Sequence, residues 1–517
     1  MYRWKKMLSL VLVGIMITSL LVGCGGKEGS VNKDGKKEII IKAWQAGMGI
    51  QWLEDLILGF EKKYPEYKVT YTSTADTQGV LSALGSAEVD TTDLYFAITF
   101  NSKQLHPLKD LLDSKAEGET KTIREKFDSS YLEGTKYLED DETYALTYGG
   151  GVIGIAYNKE LFKEAGIKKL PRTTDELVNV CDTLMRKDIV PWVHFKNGGY
   201  WASMSDAFYL QYEGMDYYNN VFYANTDEQG NSPSKDVFTR KDGRYEVLKM
   251  QEKILTPDYV LSGSNSGDHI SMQTQFVHGK AAMMVNGSWM ANEMQSVGNV
   301  DKFGIMKTPV ISSIVKKLTT VKKDSELRAV VDAIDAVADG KKPIDEYRIG
   351  DLYKVGDLEV SVADWDYIAN ARNTLATNFN GMGAFIPKYS DQIEGAEEFL
   401  RYLYSDEGLQ IYLKATNVKL PIELDSGDVD TKDWNGFAQE VSEIMKTTTQ
   451  FSQGTYNMKI HPIFLDGGAA DLFCGRLYVQ YFTALNEADR SNAEQEWEKL
   501  MQHIDKNYEK TWLANLE

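Results

Sequence analysis

Cysteine is nearly absent from this chain, with three in 517 residues, at positions 24, 181 and 474. So few exclude a disulfide framework, and the core of a chain this long must carry its stability unaided. Histidine is also scarce, six residues at 106, 194, 269, 278, 461 and 503. None of them forms H-E-x-x-H or another close metal pair. A G-x-S-x-G elbow and a P-loop are both missing, which removes the commonest hydrolase and nucleotide-binding signatures. Asp428-x-Asp430 opens like a calcium loop, but Lys432 and Asp433 stand where an EF-hand needs Asp or Asn and then Gly. Positive charge is in deficit, 57 Lys and Arg against 76 Asp and Glu for a net charge of -19. A nucleic-acid partner, which needs clustered cations, is therefore excluded. Hydrophobic residues at 43% and charged residues at 26% are ordinary globular values, so neither disorder nor a multi-span membrane protein is indicated.

Apolar runs long enough to span a bilayer are lacking too. Residues 8–20 are apolar but short, and Arg3, Lys5 and Lys6 precede them, which is the layout of a secretory signal. Leu21-Val22-Gly23-Cys24 follows and resembles the bacterial lipobox, in which the cysteine is lipidated and becomes the first residue of the mature chain. That resemblance implies a lipoprotein signal peptide over 1–23 and a lipid, palmitate included, on Cys24. Residues 24–37 are Gly-rich and charged without apolar periodicity, so they read as a flexible tether. Cys181 lies on an apolar helical face and is expected to be a buried free thiol, while Cys474 is left open.

What is present is an alternation of strands and helices. Residues 39–44 read as a buried strand ending at Trp44, and Gln45 to Gly49 as a turn. Leu53, Leu56, Ile57 and Phe60 then repeat at helical spacing, with Pro65 as the stop. Residues 69–71 and 93–97 are further strands. Gly149, Gly150 and Gly151 interrupt a strand-like stretch over 144–158, a costly choice unless the backbone must bend or approach something closely. Thr173-x-x-Glu176 predicts a capping box, and Leu177, Val180, Cys181 and Leu184 one helix face. Residues 190–195 read as a strand whose end presents Gly198, Gly199, Tyr200 and Trp201. Everything beyond 420 reads as helices.

The most informative stretch is 275–290, QFVHGKAAMMVNGSWM, which reads as helix end, Gly-centred turn, short buried strand over 281–285, a break at Asn286-Gly287-Ser288, and Trp289 at the carboxyl end. Phe276, Gly279, Lys280, Ala281, Ala282, Met283, Gly287 and Trp289 resemble, without departure, a signature of extracellular solute-binding proteins of the sugar-binding class, the receptors of ABC importers. Residues 381–387 and the helix leading to Ser405-Asp406-Glu407-Gly408-Leu409 resemble later parts of the same family. The resemblance covers most of 38–420 and thins over 311–373.

The resemblance implies a two-lobed, periplasmic-binding-protein-like α/β fold of type II, each lobe a sheet flanked by helices and joined by crossing segments. One lobe is expected from 38–150 with 378–420, the other from 151–377 with 421–517, and 311–373 as an insertion. The glycines at 149–151 fall where the family's chain first crosses between lobes. The implied function is capture of a carbohydrate, expected to be an oligosaccharide, by a monomeric receptor held on the outer membrane face by its lipid, and its delivery to transmembrane permease subunits. No cofactor, metal or catalysis is implied. A sugar site needs flat apolar platforms and hydrogen-bonding groups. Strand ends and crossings supply Trp44, Tyr148, Trp201 and Trp289 as platforms, with Gln45, Asp93 and Asn286 as polar partners. Two rival classes remain: a secreted carbohydrate-active lipoprotein enzyme working with paired carboxylates, and a sensor subunit reporting ligand to a membrane kinase.

Overall fold

The computed structural model describes residues 32–45, 48–74, 76, 80–81, 84, 91–98, 102–227, 229–464 and 476–515. The expectations for the signal segment, Cys24, most of the tether, Cys474 and Ala46-Gly47 lie outside the described residues. Strand β1 (Lys37–Trp44) buries Ile39, Ile41 and Ala43 while the residues between them stay half-exposed, the period of two that a half-buried strand demands. The helix Gln51–Lys63 buries Trp52, Leu53, Leu56, Ile57 and Phe60 on one stripe. Each large side chain so covered contributes about 1.5–3 kcal/mol. Strand β2 (Tyr67–Thr74) then runs parallel to β1 on one side, and β3 (Leu94–Ala97) parallel to it on the other.

The chain continues to β4 (Leu146–Thr147), crosses at 148–151, and starts a second sheet with β5 (Val152–Asn158). There β6 (Met283–Gly287) and β7 (Phe303–Met306) both pair antiparallel to β5. A small antiparallel sheet of β8 (Arg348–Ile349), β9 (Leu352–Val355) and β10 (Leu358–Ser361) follows. Strand β11 (Thr374–Thr377) belongs to the second sheet, β12 (Gly383–Phe385) returns to the first, and β13 (Gln450–Ser452) lies in the second again. The first sheet has the order β2-β1-β3-β12-β4, the second β13-β11-β5-β6 with β7 beside β5. Two helix-flanked sheets joined by crossing strands are a two-lobed α/β architecture.

Local readings are adjusted at four places. Residues 190–195 form no strand. Pro191 has no N–H to give a ladder, and pairing contracts to bridges from Trp192 to Val260 and to Met283. Asn286 and Gly287 do not break β6 but belong to it, opposite Gly154 and Ile153. Thr173 caps the helix Thr174–Met185, yet Glu176 turns to the Arg172 backbone and guanidinium instead of completing a capping box. The chain beyond 420 is not all helix, since β13 lies there. The stretch 311–373 contributes the helix Asp324–Ala338, the small sheet and the helix Val362–Arg372, and Leu327, Val330, Val331, Trp365 and Ile368 from it are core of the second lobe. Cys181 is a buried free thiol whose pKa burial pushes well up.

Candidate functional site

The site is framed by chain that passes between the sheets. Crossings 148–151 and 378–382 lie side by side: Gly151 N donates to Asn378 Oδ1 at 2.8 Å and Asn378 N returns a bond to Gly151 O at 3.2 Å. The three glycines are required by what presses on them. A β-carbon at Gly149 would meet the methyl of Met48 and that of Met382. At Gly150, whose φ is +88°, it would stand 2.9 Å from the Asn378 carbonyl oxygen. At Gly151 it would collide with Ser288 Oγ, with the Trp289 ring just beyond at 3.3 Å. Met48 is itself held, its sulfur accepting from Tyr412 Oη at 3.1 Å.

The segment 452–459 after β13 stays with the second sheet but lies against the first lobe, and it had no counterpart in the sequence reading. It is anchored by Asp206, a fully enclosed carboxylate on the helix Trp201–Glu213. Asp206 accepts from Tyr218, from Tyr223 at 2.6 Å, from Ser452 at 2.6 Å and from the Gly454 amide at 3.1 Å. Burial pushes its pKa up, against those hydrogen bonds, which favour the carboxylate. Asn457 donates to Asn219 at 2.8 Å, and Lys459 reaches Asn220 at 3.0 Å and Glu133, of the first lobe's helix Ser129–Thr135, at 2.5 Å.

The seven expected cleft residues divide sharply. Trp44 ends β1 half-exposed, and Gln45 beside it donates to Ser73 at 3.1 Å. Trp289 is half-exposed, caps the short helix Met290–Met294 and borders Gly151. The other four do not face open space. Tyr148 is fully buried, stacked on Trp52 at 5.5 Å, with its hydroxyl directed at the carbonyls of Trp44 and Phe96 at 3.3 and 3.4 Å. It supports the strand ends from below. Trp201 is also fully buried, edge-on to Trp192 at 5.2 Å, because the helix begins at that residue and turns it inward. Asn286 is buried and spends its Oδ1 on the Gly287 amide at 2.8 Å. Asp93 precedes β3, at the opposite end of that strand from Ala97. Its carboxylate accepts from the Ile40 amide at 2.9 Å and Ser390 at 2.7 Å. In this structure Asp93, Tyr148 and Asn286 spend polar groups inside the protein, whereas the buried Trp201 Nε1 has no hydrogen-bond partner among the described residues.

Two aromatic residues take their place. Tyr200, next in sequence to Trp201, is half-exposed and meets Trp289 edge to face at 5.3 Å and 75°. Burial, then the nearby Glu293 carboxylate, pushes its phenol up to about 12, so it stays protonated and able to donate. Tyr456 of the 452–459 segment is half-exposed, its ring 3.0 Å from where a β-carbon on Gly381 would be. A Gly-aromatic pairing, Gly199-Tyr200 and Gly454-x-Tyr456, was the available sequence signal for both. Among the described residues no group of three or more His, Cys, Asp or Glu is placed to hold a metal ion. No helix among them is long and apolar enough to cross a membrane. The arrangement offers half-exposed ring faces with an amide and a phenol between two lobes, a binding chemistry.

Comparison with known proteins agrees with this architecture. A multiple sugar-binding protein of Streptococcus mutans is 23% identical over 302 residues, 56% of this chain and 66% of that protein, so the chain spans about two thirds of that relative's length. A solved family 1 extracellular solute-binding protein from Bifidobacterium longum subsp. infantis aligns with 91% of this chain and all of its own, at a TM-score of 0.57 and 16% identity. A "probable secreted solute-binding lipoprotein" from Streptomyces coelicolor aligns with 90% of this chain and 98% of its own, at a TM-score of 0.59 and 12% identity. At such identities the two solved structures establish the fold alone. The sequence profile described as bacterial extracellular solute-binding protein matches residues 45–410, well over half of the chain. The chain belongs to the bacterial extracellular solute-binding protein family.

Proposed function

We propose that this protein is a carbohydrate receptor of an ABC importer, which captures its sugar between the lobes and delivers it to transmembrane permease subunits. The observation that carries the reading is the half-exposed Trp289–Tyr200 pair standing beside the Gly151 crossing, with Trp44 and Gln45 ending β1 of the other sheet. Rigid rings with a polar edge suit a ligand that has C–H faces and a rim of hydroxyls. The sugar-binding relative in Streptococcus mutans supports the same ligand class. The lobes divide as 38–150 with 378–420 and 151–377 with 421–517, and ligand closes them about the crossings. Closure is a population shift, and moving from mostly open to mostly closed takes on the order of 5 kcal/mol of differential affinity. The receptor works as a monomer and without catalysis. Cys24 carries the lipid that keeps it at the outer membrane face, and the segment after it lets it turn.

The test is a titration of the full chain, kept in detergent, with mono- and oligosaccharides, following Trp fluorescence and calorimetric heat. Saturable one-to-one binding that leaves the sugar intact is the expected result. Hydrolysis of the sugar would move the protein to the enzyme class, and silence across the panel would remove carbohydrate as the ligand. A Cys24→Ser chain is expected to lose incorporation of labelled palmitate and to leave the membrane fraction.

A further inference from the structure

A line of rings continues outward from Trp289 on the second lobe. Trp289 meets Tyr200 at 5.3 Å between ring centres, Tyr200 meets Phe195 at 5.4 Å, and Phe195 meets His269 at 6.0 Å. Successive planes cross at 75°, 83° and 60°. The first three rings are half-exposed and His269 is exposed, with Ile270 beside it 46% exposed. The backbone is shaped around it. Gly199 has a φ of +56°, and a β-carbon there would stand 2.7 Å from the Phe195 ring, so only glycine lets that ring lie against the turn that presents Tyr200. The Lys196 amide donates to Gly267 O at 2.9 Å, and Asp268 caps the helix His269–Val277, which fixes His269 in its first turn. Core filling in this region is done by the fully buried Trp192, Trp201 and Phe276. Four rings left accessible in a row, on a backbone built to hold them, are the mark of a surface meant to be covered.

Resting on the carbohydrate reading, we propose that this ladder extends the cleft and takes successive units of one ligand. The protein is then a receptor for an unbranched oligosaccharide: one sugar lies between the lobes against Trp289, and further units run over Tyr200 and Phe195 to His269. Ring faces cover the apolar faces of the sugars, and the phenol and imidazole reach their hydroxyls.

The experiment measures calorimetric affinity of the full chain for gluco-, galacto-, xylo-, fructo- and N-acetylglucosamine oligomers, each from monomer to hexamer. Affinity is expected to climb with length in the series that binds. Phe195→Ala should lower tetramer affinity by about tenfold and change dimer affinity by no more than about twofold. His269→Ala, at an exposed position whose only ring contact among the described residues is with Phe195, should weaken only the longest oligomers, by about threefold. That second variant keeps the test decisive if Phe195→Ala loosens the Gly198-Gly199 turn. Affinity independent of length, with both variants binding like the parent, overturns the ladder and leaves the carbohydrate reading intact. Absence of binding in every series overturns the carbohydrate reading, and the ladder falls with it.

Discussion

Two segments at the junction of the lobes, the crossing at 148–151 and the stretch 452–459, are held with opposite chemistry. At 148–151 the chain has been stripped to three glycines, and methionine methyls, a carbonyl and the Ser288–Trp289 corner fill the space where side chains would be. At 452–459 the chain keeps its side chains and ties them down through Ser452, Asn457 and Lys459 and the buried Asp206. Four of the groups that hold it, Tyr218, Asn219, Asn220 and Tyr223, come from one π-helical segment, Tyr217–Tyr223. The crossing is thin and can bend, whereas the 452–459 segment is clamped to the second lobe. Any relative motion of the lobes should therefore concentrate at the glycines, with the Asp206 cluster moving as part of the second lobe.

The largest effect is expected from breaking the clamp. Asp206→Ala leaves the Tyr218, Tyr223 and Ser452 hydroxyls and the Gly454 amide without their acceptor in a dry site. A loss of about 3 kcal/mol or more follows from orphaned buried donors, and it should appear as a lower urea midpoint with faster amide exchange over 450–459. Unchanged exchange there would mean that the 452–459 segment is not held by this cluster. Next in size is Gly150→Ala, which forces a side chain into a left-handed conformation 2.9 Å from a backbone oxygen. About 2 kcal/mol of stability should be lost. The same change at Gly454, φ +55° with its nearest neighbour 3.8 Å away, should cost only about 1 kcal/mol. Equal costs at the two glycines would erase the distinction between the two segments.

A smaller effect on stability but a clear one on binding is expected at Gly151. Its added methyl meets the Ser288 hydroxyl, which can rotate away, so the melting temperature should fall little, by the equivalent of about 0.5 kcal/mol. The Trp289 ring stands only 3.3 Å from the added methyl and must give way, and sugar affinity should drop by about tenfold, the mark of a shifted platform. Trp289→Ala gives the reference for complete loss of that platform. A Gly151→Ala chain that binds like the parent would detach the crossing from the ligand site.

The overall plan was open to reading because the α/β alternation and the block ending in Trp289 are local and strongly patterned. The glycine run at 149–151 was equally visible, since nothing but close approach explains three such residues in an apolar context. Distinctions that depend on one residue of register were not. Tyr200 and Trp201 are neighbours, and which one faces the cleft is decided by where the helix starts, set by the left-handed Gly198-Gly199 turn. Asp93 was assigned to the ligand because it adjoins a strand, but it stands at the strand's beginning, where its carboxylate ties Ile40 to Ser390. Strand β13 and the segment after it escape such a reading because the strand is three residues long, too short for any period to show.

The smallest effect tests one of the clamp's ties to the first lobe, alongside Phe451 N to Ser130 Oγ, Met458 N to Gly134 O and Lys459 to Asp141. Glu133 is partly buried, which alone would raise its pKa, yet the ammonium groups of Lys136 and Lys459 hold it below the ordinary glutamate value. A carboxylate whose folded pKa is depressed adds stability that is present above its unfolded pKa, near 4.3, and is lost as pH falls through the depressed value. Acid should therefore loosen the join between the Ser129–Thr135 helix and the 452–459 segment, while the glycine crossing, with no acidic side chain of its own, is untouched. The contribution is on the order of 0.5 kcal/mol once solvent screening of this partly exposed pair is allowed for. Comparing the urea midpoints of the parent and Glu133→Gln across this acid range isolates it: the difference seen at neutral pH should close as the parent's carboxylate protonates. A difference that persists unchanged into acid would assign Glu133 a packing role in place of an ionic one.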